Sequence, residues 1–202
     1  MIDTVLKLAD DEVTYDPESG RPFRNGKRVL GLTDVLKLSG LMDGQSWGTD
    51  LDLWMGQCRH KAVELWVRGT LDLDLLDPEI RPSLEAFLEF QKQTGFVPSQ
   101  SEFKVFNPLY HVATRIDLLG KFPDGIEAII ELKSGTLAKT TAIQTSGQDI
   151  LLGGFVRKRF GLSIPSTGKP KIMPYTNRDD YIVFRAALTI AGWKVRELGS
   201  TF

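Results

Sequence analysis

The stretch from Val112 to Lys133 restricts the fold of this chain more than any other. Two strand-like runs, at about residues 111–120 and 126–134, flank the turn Phe122-Pro123-Asp124-Gly125. Side chains of an extended chain alternate between faces, so Val112, Thr114, Ile116 and Leu118 share one side and Ala113, Arg115, Asp117 and Leu119 the other. In the second run Ala128, Ile130 and Leu132 oppose Glu127, Ile129, Glu131 and Lys133. Each strand therefore offers a mainly apolar face and a face carrying charge.

Register decides what the charged faces build. A loop of Pro123-Asp124-Gly125 sets Asp117 opposite Glu131, with Cβ atoms about 4.5–5.5 Å apart. A two-residue Asp124-Gly125 loop pairs Asp117 with Leu132 instead and splits the carboxylates across the sheet. The longer loop is expected, with Gly125 supplying a positive φ. Two ionised carboxylates at that separation repel each other. A divalent cation would justify them, and Lys133 adds a positive charge on the same face. Acids on strands with apolar flanks are costly unless satisfied. These three residues thus suit a compact site for a divalent metal and a phosphate. The other reading of the same residues is a solvated hairpin face with a cross-strand Lys/Glu/Arg network.

Composition narrows the chemistry open to such a site. The single cysteine, Cys58, excludes an internal disulfide and any all-cysteine zinc or iron–sulfur site. His60 and His111 are the only imidazoles, so a metal must lean on oxygen, which favours magnesium, with manganese as substitute, over zinc. At 202 residues the chain can bury a core as one domain. No apolar run approaches ~20 residues and no basic-then-apolar leader opens it, so a soluble cytoplasmic protein with no membrane contact is expected. The net charge of −1 hides an asymmetry. Residues 1–80 carry 15 Asp/Glu against 9 Lys/Arg, whereas residues 133–171 carry 7 Lys/Arg against Asp149 alone. One face could therefore meet a polyanion, unless these are scattered solvated cations.

The remaining elements are expected as follows. Residues 12–32 resemble a β-meander, with Asn25-Gly26 as a hairpin signal. Thr33 or Asp34 would cap a short helix through Leu38. A helix over 50–68 carries Leu51, Trp54, Met55, Cys58, Ala62, Leu65 and Trp66 at three-and-four spacing, and another starts at Pro82 and ends before Gly95. A strand at about 102–106 precedes the hairpin. A helix from roughly 138 to 159, weakened by Gly147, Gly153 and Gly154, follows it. A loop at 161–170, a strand at 171–175 and a helix Asp179–Ala191 behind Asn177 complete the pattern. The fold class is α/β, a small mixed sheet flanked by helices.

Asp117…Glu131-Leu132-Lys133 resembles the core of the PD-(D/E)XK nuclease superfamily, in particular its RecB-like exonuclease group of phages and repair systems. Gly56-Gln57-Cys58-Arg59-His60 is similar to that group's upstream Gly-x-x-x-His motif, whose histidine can ligate metal. Glu102 opens a strand region where these proteins often carry an acid. Gln144 to Gln148 is similar to their Gln-x-x-x-Tyr motif, and Tyr181–Trp193 resembles the closing helix of small phage members. Thr114 stands where glycine is frequent and Gln148 where the motif has tyrosine. There is no cysteine quartet, which excludes the iron–sulfur branch, and no helicase motif.

The resemblance implies a restriction-endonuclease-like core at 50–175, an N-terminal elaboration at 1–48 and a C-terminal helix at 177–202, all in one domain. It implies a Mg2+-dependent DNA nuclease, an exonuclease of phage-type recombination, repair or DNA processing. Its partners would be DNA and a recombination or single-strand-binding protein. Asp117, Glu131, the Leu132 carbonyl and His60 would hold the metal, Lys133 would act on the phosphate, and Gln144 would position the water, Lys133 or a phosphate. Glu102 would stand in an outer shell, on a second metal or on DNA, and Arg115 and Gln148 in an outer shell or on DNA. Arg157-Lys158-Arg159 would be a backbone-phosphate patch, or simply cations at a helix C-terminus. His111 is read as structural or a phosphate contact, Cys58 as buried, and Trp47, Trp54, Trp66 and Trp193 as core or rim packing. The alternative function is a catalytically silent nucleic-acid-binding accessory of the same fold. A glycoside hydrolase using Asp117 and Glu131 is third, disfavoured by the adjacent lysine.

Overall fold

The computed structural model of the chain describes residues 13–44, 48–154, 157–167 and 169–199. Strands β1 (Val13–Tyr15), β2 (Pro22–Arg24) and β3 (Lys27–Arg28) form the antiparallel meander. Its tight turn is Asn25-Gly26, at φ 51° and 73°, the double positive φ that a type I′ turn demands. Residue 12, where the meander is expected to begin, and Trp47 lie outside the described residues.

The chain continues through β4 (Leu30–Gly31) into α1 (Leu32–Leu38). Gly31 is the cap residue of α1, and Asp34 reaches back from the first turn to accept the Gly31 N–H at 3.0 Å. Neither Thr33 nor Asp34 is therefore the cap itself. Helix α2 (Asp50–Val67) starts on a reciprocal pair. The Asp52 N–H donates to Thr49 Oγ1 at 3.2 Å, and Asp52 Oδ2 accepts the Thr49 N–H at 2.8 Å. Helix α3 (Arg81–Thr94) has Pro82 in its first turn and ends at Gly95.

The main sheet has six strands: β4, β5 (Val97–Asn107), β6 (Val112–Lys121), β7 (Glu127–Lys133), β8 (Lys158–Ser163) and β9 (Lys171–Pro174). Strands β5, β6 and β7 pair antiparallel in sequence, β7 and β8 pair parallel, and β8 and β9 pair antiparallel. Helices α1, α4 (Thr140–Leu151) and α5 (Asp179–Leu198) share one apolar cluster with Val105, Ile116 and Ile129. Helices α2 and α3 share another with Leu118, Ile130, Leu132 and Leu162. The sheet is thus covered on both sides, and β7 is buried from Ala128 to Leu132 as a central strand must be. The α/β class with a mixed sheet is what the structure has. Among the described residues no helix is long and apolar enough to cross a membrane.

Several expected bounds need correction. Helix α4 ends at Leu151 rather than near 159, because Gly153 and Gly154 close it with N–H bonds back to Ile150 and Asp149 at 2.9 and 3.1 Å. The chain then turns into β8, so residues 158–163 are strand where helix and loop are expected. Gly147, within α4, lets the helix meet α5: a Cβ there would lie 2.4 Å from the Phe184 ring. Finally, β5 is longer than 102–106, and α5 runs on to Leu198 before Gly199 ends it.

Candidate metal centre

The β6–β7 register is the one set by the longer loop. Leu118 faces Ile130, Leu119 faces Ile129 and Gly120 faces Ala128, and Gly125 has φ 79°. One step further along this register lies Asp117 beside Glu131, but the ladder stops at Leu118. In place of the next strand bond, Asp117 Oδ2 accepts the Leu132 N–H at 2.7 Å. Lys133 O receives Ile164 N–H from the β8 side at 2.8 Å. Alternation of the backbone then turns Leu132 N–H and C=O toward β6 and Asp117.

The strand is irregular at this point. Ile116 packs with the α1–α4–α5 cluster and Leu118 with the α2–α3 cluster, so the strict alternation expected along β6 breaks at Asp117. The partner strand is irregular at the same level. Ser101 pairs with Leu118 and Phe103 with Ile116, while the intervening pair, Glu102 and Asp117, is missing from the ladder. Glu102 has φ 50°, a left-handed conformation that a non-glycine residue holds only under compulsion. The two distortions carry both carboxylates to one spot.

Helix α2 brings the third group. Gly56 permits its close approach to the end of β7, since a Cβ there would sit 3.2 Å from Ser134 Oγ. One turn on, His60 Nδ1 lies 3.7 Å from Asp117 Oδ2. His60, Glu102 and Asp117 each offer one ligand atom, and the three atoms lie within 4.8 Å of one another. Burial lowers the His60 pKa against the pull of Glu131 and Glu102, so the imidazole is neutral and able to ligate. Burial and the Asp117 charge, opposed by Arg115, push Glu102 up to about 7. Burial and the Glu131 charge raise Asp117 well above the carboxylate range, against Lys133 and the Leu132 N–H. The cluster holds more negative charge than its neighbours neutralise, and a divalent cation is the group that its donors fit.

Glu131 stands differently. Its Oε1 accepts from Lys133 Nζ and from Gln144 Nε2, both at 2.7 Å, and its Oε2 accepts from Gln148 Nε2 at 2.9 Å. Burial opposes the Lys133 charge, but Glu131 and Asp117 outweigh it and raise the Lys133 pKa, so the ammonium persists. Gln148, in the place of a motif tyrosine, is fully buried and holds Glu131 directly. Arg115 pairs with Glu102 at 2.8 Å at the edge of the same site.

Other expected residues fall elsewhere. Arg159 is buried and Arg157 nearly so, its side chain 9% exposed, and neither is at a helix end. Arg157 binds Glu127 and Asp149, each at 3.1 Å, and Arg159 binds Asp180 at 3.0 Å and two carbonyls. Lys158 pairs with Asp124. A free phosphate patch at 157–159 is therefore not what the fold presents. His111 is an exposed turn residue whose ring meets the edge of Phe106, away from the cluster. Cys58 is only partly buried, and Trp54, Trp66 and Trp193 are 57%, 36% and 48% exposed, so none of these three is core. Tyr15 is a member of the surroundings that sequence reasoning missed. It stacks 5.3 Å from the Arg115 guanidinium and belongs to a meander 100 residues upstream, a long-range contact with no local signal.

A scan against protein-family models and a search of curated proteins gave no match. Among solved structures the chain is similar to a candidate exonuclease from Eubacterium rectale (TM-score 0.47, 12% identity, covering 83% of each chain). It is similar to the alkaline exonuclease LHK-Exo from Laribacter hongkongensis (TM-score 0.39, 12% identity, 85% of this chain and 93% of that one). LHK-Exo in complex with dAMP gives a TM-score of 0.38 at 14% identity, with the same coverage.

Proposed function

We propose that this protein is a magnesium-dependent deoxyribonuclease, with manganese able to substitute. The observation that carries the reading is the convergence of His60, Glu102 and Asp117 within 4.8 Å beside the Glu131–Lys133 pair. Asp117, Glu102 and His60 would hold one ion. The Leu132 carbonyl, turned to the same side, and Glu131, once released from Lys133, would complete the set or serve a second ion. Such an ion lowers the pKa of coordinated water and polarises a phosphoryl oxygen.

The protein's own groups do the rest. Lys133 stays protonated between Glu131 and Asp117, so it acts as an electrostatic partner for phosphoryl oxygens rather than as a base. Gln144 and Gln148 fix both oxygens of Glu131 and so orient the carboxylate and its lysine. Arg115 holds Glu102 and shields part of its charge. DNA as the substrate, exonucleolytic action, a role in phage-type recombination or repair and a cytoplasmic setting follow from the motif resemblance and belong to the same proposal.

Purified protein incubated with linear duplex, plasmid and single-stranded DNA tests it. Magnesium-dependent cleavage is expected, and Asp117→Ala, Glu131→Ala and Lys133→Ala should each abolish it while folding survives. Full cleavage by Glu131→Ala protein would sink the reading.

A further inference from the structure

The metal cluster forms the inner end of a cleft of about 580 Å³ between α2 and the β1–β2 turn. Trp54 lines this cleft, with 57% of its surface exposed, and none of the apolar clusters among the described residues includes it. Trp54, Gln57 and Lys61 stand at i, i+3 and i+7, one stripe of α2 turned to the cleft. His60 is six residues along the same helix, about 9 Å by helical rise. Among the exposed apolar side chains of α2, which include Leu51, Leu53 and Trp66, Trp54 is the one that lines the cleft beside His60, Glu102 and Asp117.

The remaining lining limits what can bind. Lys61 is held by Glu64 at 2.9 Å and Arg115 by Glu102 at 2.8 Å, while Asp16 and Glu18 stand on the turn opposite. Such walls offer no basic track for a duplex backbone, whose binding rests on phosphate neutralisation. Tyr15 also lines the cleft, but the Arg115 guanidinium lies against its ring, so what the cleft offers is a cation site for one phosphate at the cluster and the exposed indole of Trp54 as an aromatic face. Its volume suits a ligand of one or two nucleotides, since pockets of roughly 300–1,000 Å³ hold drug-sized molecules. A duplex, with a major groove alone about 12 Å wide, does not enter.

We propose that Trp54 is the surface on which an unpaired base stacks beside the phosphate at the cluster, so that the cleft takes DNA as a single-stranded end. The proposal rests on the nuclease reading and names the form of its substrate. Trp54 is a positioning residue: stacking is indifferent to base identity and sets where the backbone lies relative to the cluster.

The experiment uses the full chain with calcium, a doubly charged ion that oxygen ligands accept. Its indole fluorescence is titrated with a short oligo(dT) and with a blunt hairpin duplex of equal length. Removing an exposed indole from a helix leaves the fold intact, alanine being the better helix former. The oligo(dT) is expected to quench the wild type. Trp54→Ala should lose that quenching and bind the oligo(dT) roughly 10-fold more weakly, as the loss of one base–aromatic stack predicts. In magnesium its KM for single strands should rise with kcat little changed, and Trp54→Phe should keep most of the affinity. Absent quenching, unaltered binding by Trp54→Ala, or equal quenching by the duplex would each overturn the assignment. Quenching without cleavage in magnesium would remove the nuclease reading and leave the stacking site. Cleavage with an unaffected Trp54→Ala would do the reverse.

Discussion

Two acids on neighbouring elements, the largely shielded Asp117 (side chain 11% exposed) and the fully buried Asp149, show how differently the fold treats the same side chain. Asp149 is fully buried, yet Arg157 Nη1 meets it at 3.1 Å and the Tyr181 hydroxyl donates to it at 2.8 Å. It ties α4 to α5 and to the start of β8. Asp117 lies among two more carboxylates, and its direct partners are one backbone N–H at 2.7 Å and a neutral imidazole at 3.7 Å. Burial does not mark a functional acid. Burial with too little compensating charge does, because the fold gains nothing from such a group unless something binds there.

This contrast can be broken most sharply by activity. Asp117→Asn and Glu102→Gln should each reduce magnesium-dependent cleavage by on the order of 10²–10³-fold or more in a discontinuous gel assay, the scale of losing one transition-state electrostatic contact. Asp149→Asn should act only through stability.

Stability should reverse the order. Asp149→Ala removes the fully buried partner of Arg157 and should cost about 3–5 kcal/mol in urea unfolding, with or without metal. Asp117→Asn should leave the metal-free protein as stable as the wild type or more so, by relieving repulsion. A strongly destabilised metal-free Asp117→Asn protein would erase the distinction.

The pH dependence sharpens it. Glu102 titrates near 7 in the folded chain against an ordinary value of 4.5, so the folded state keeps a proton that the unfolded state releases. Stability of the metal-free protein must therefore fall as pH rises from about 4.5 to about 7, and Asp117 adds to the same trend. A bound cation replaces the proton. The gain in melting temperature on adding manganese should accordingly be larger at pH 8 than at pH 5, and a gain independent of pH would contradict the electrostatic account. The smallest effect is expected from Gly56→Ala. Its methyl must push Ser134 or α2 aside by a few tenths of an ångström, and manganese affinity should weaken several-fold with little loss of stability.

Much of this was legible along the chain because it is local. The β6–β7 register follows from one turn, Pro123 to Gly125, and α2 and α3 start where expected, at Asp50 and around Pro82, although the Thr49–Asp52 cap of α2 was not expected. The short α4 and the strand β8 were not, since a Gly-Gly stop followed by Arg157, just before β8, and Arg159, within it, both paired with acids, look like a fraying basic helix. At the site, Asp117, Glu131 and Lys133 come from one hairpin. The grouping of Glu102 with Asp117 and His60, rather than of Glu131 with them, depends on a positive φ at Glu102 and a broken alternation at Asp117. Neither has a periodicity to read. The cleft that exposes Trp54 is likewise set by the distant β1–β2 turn, which no spacing around the tryptophan announces.

The central claim is that His60, Glu102 and Asp117 form a divalent-cation site. Calorimetric titration of manganese into the metal-free protein at pH 7, repeated in buffers of different ionisation enthalpy, tests it most directly. Saturable binding with proton release, lost in Asp117→Asn, is the predicted result. Absent binding, or binding that Asp117→Asn leaves unchanged, would contradict it.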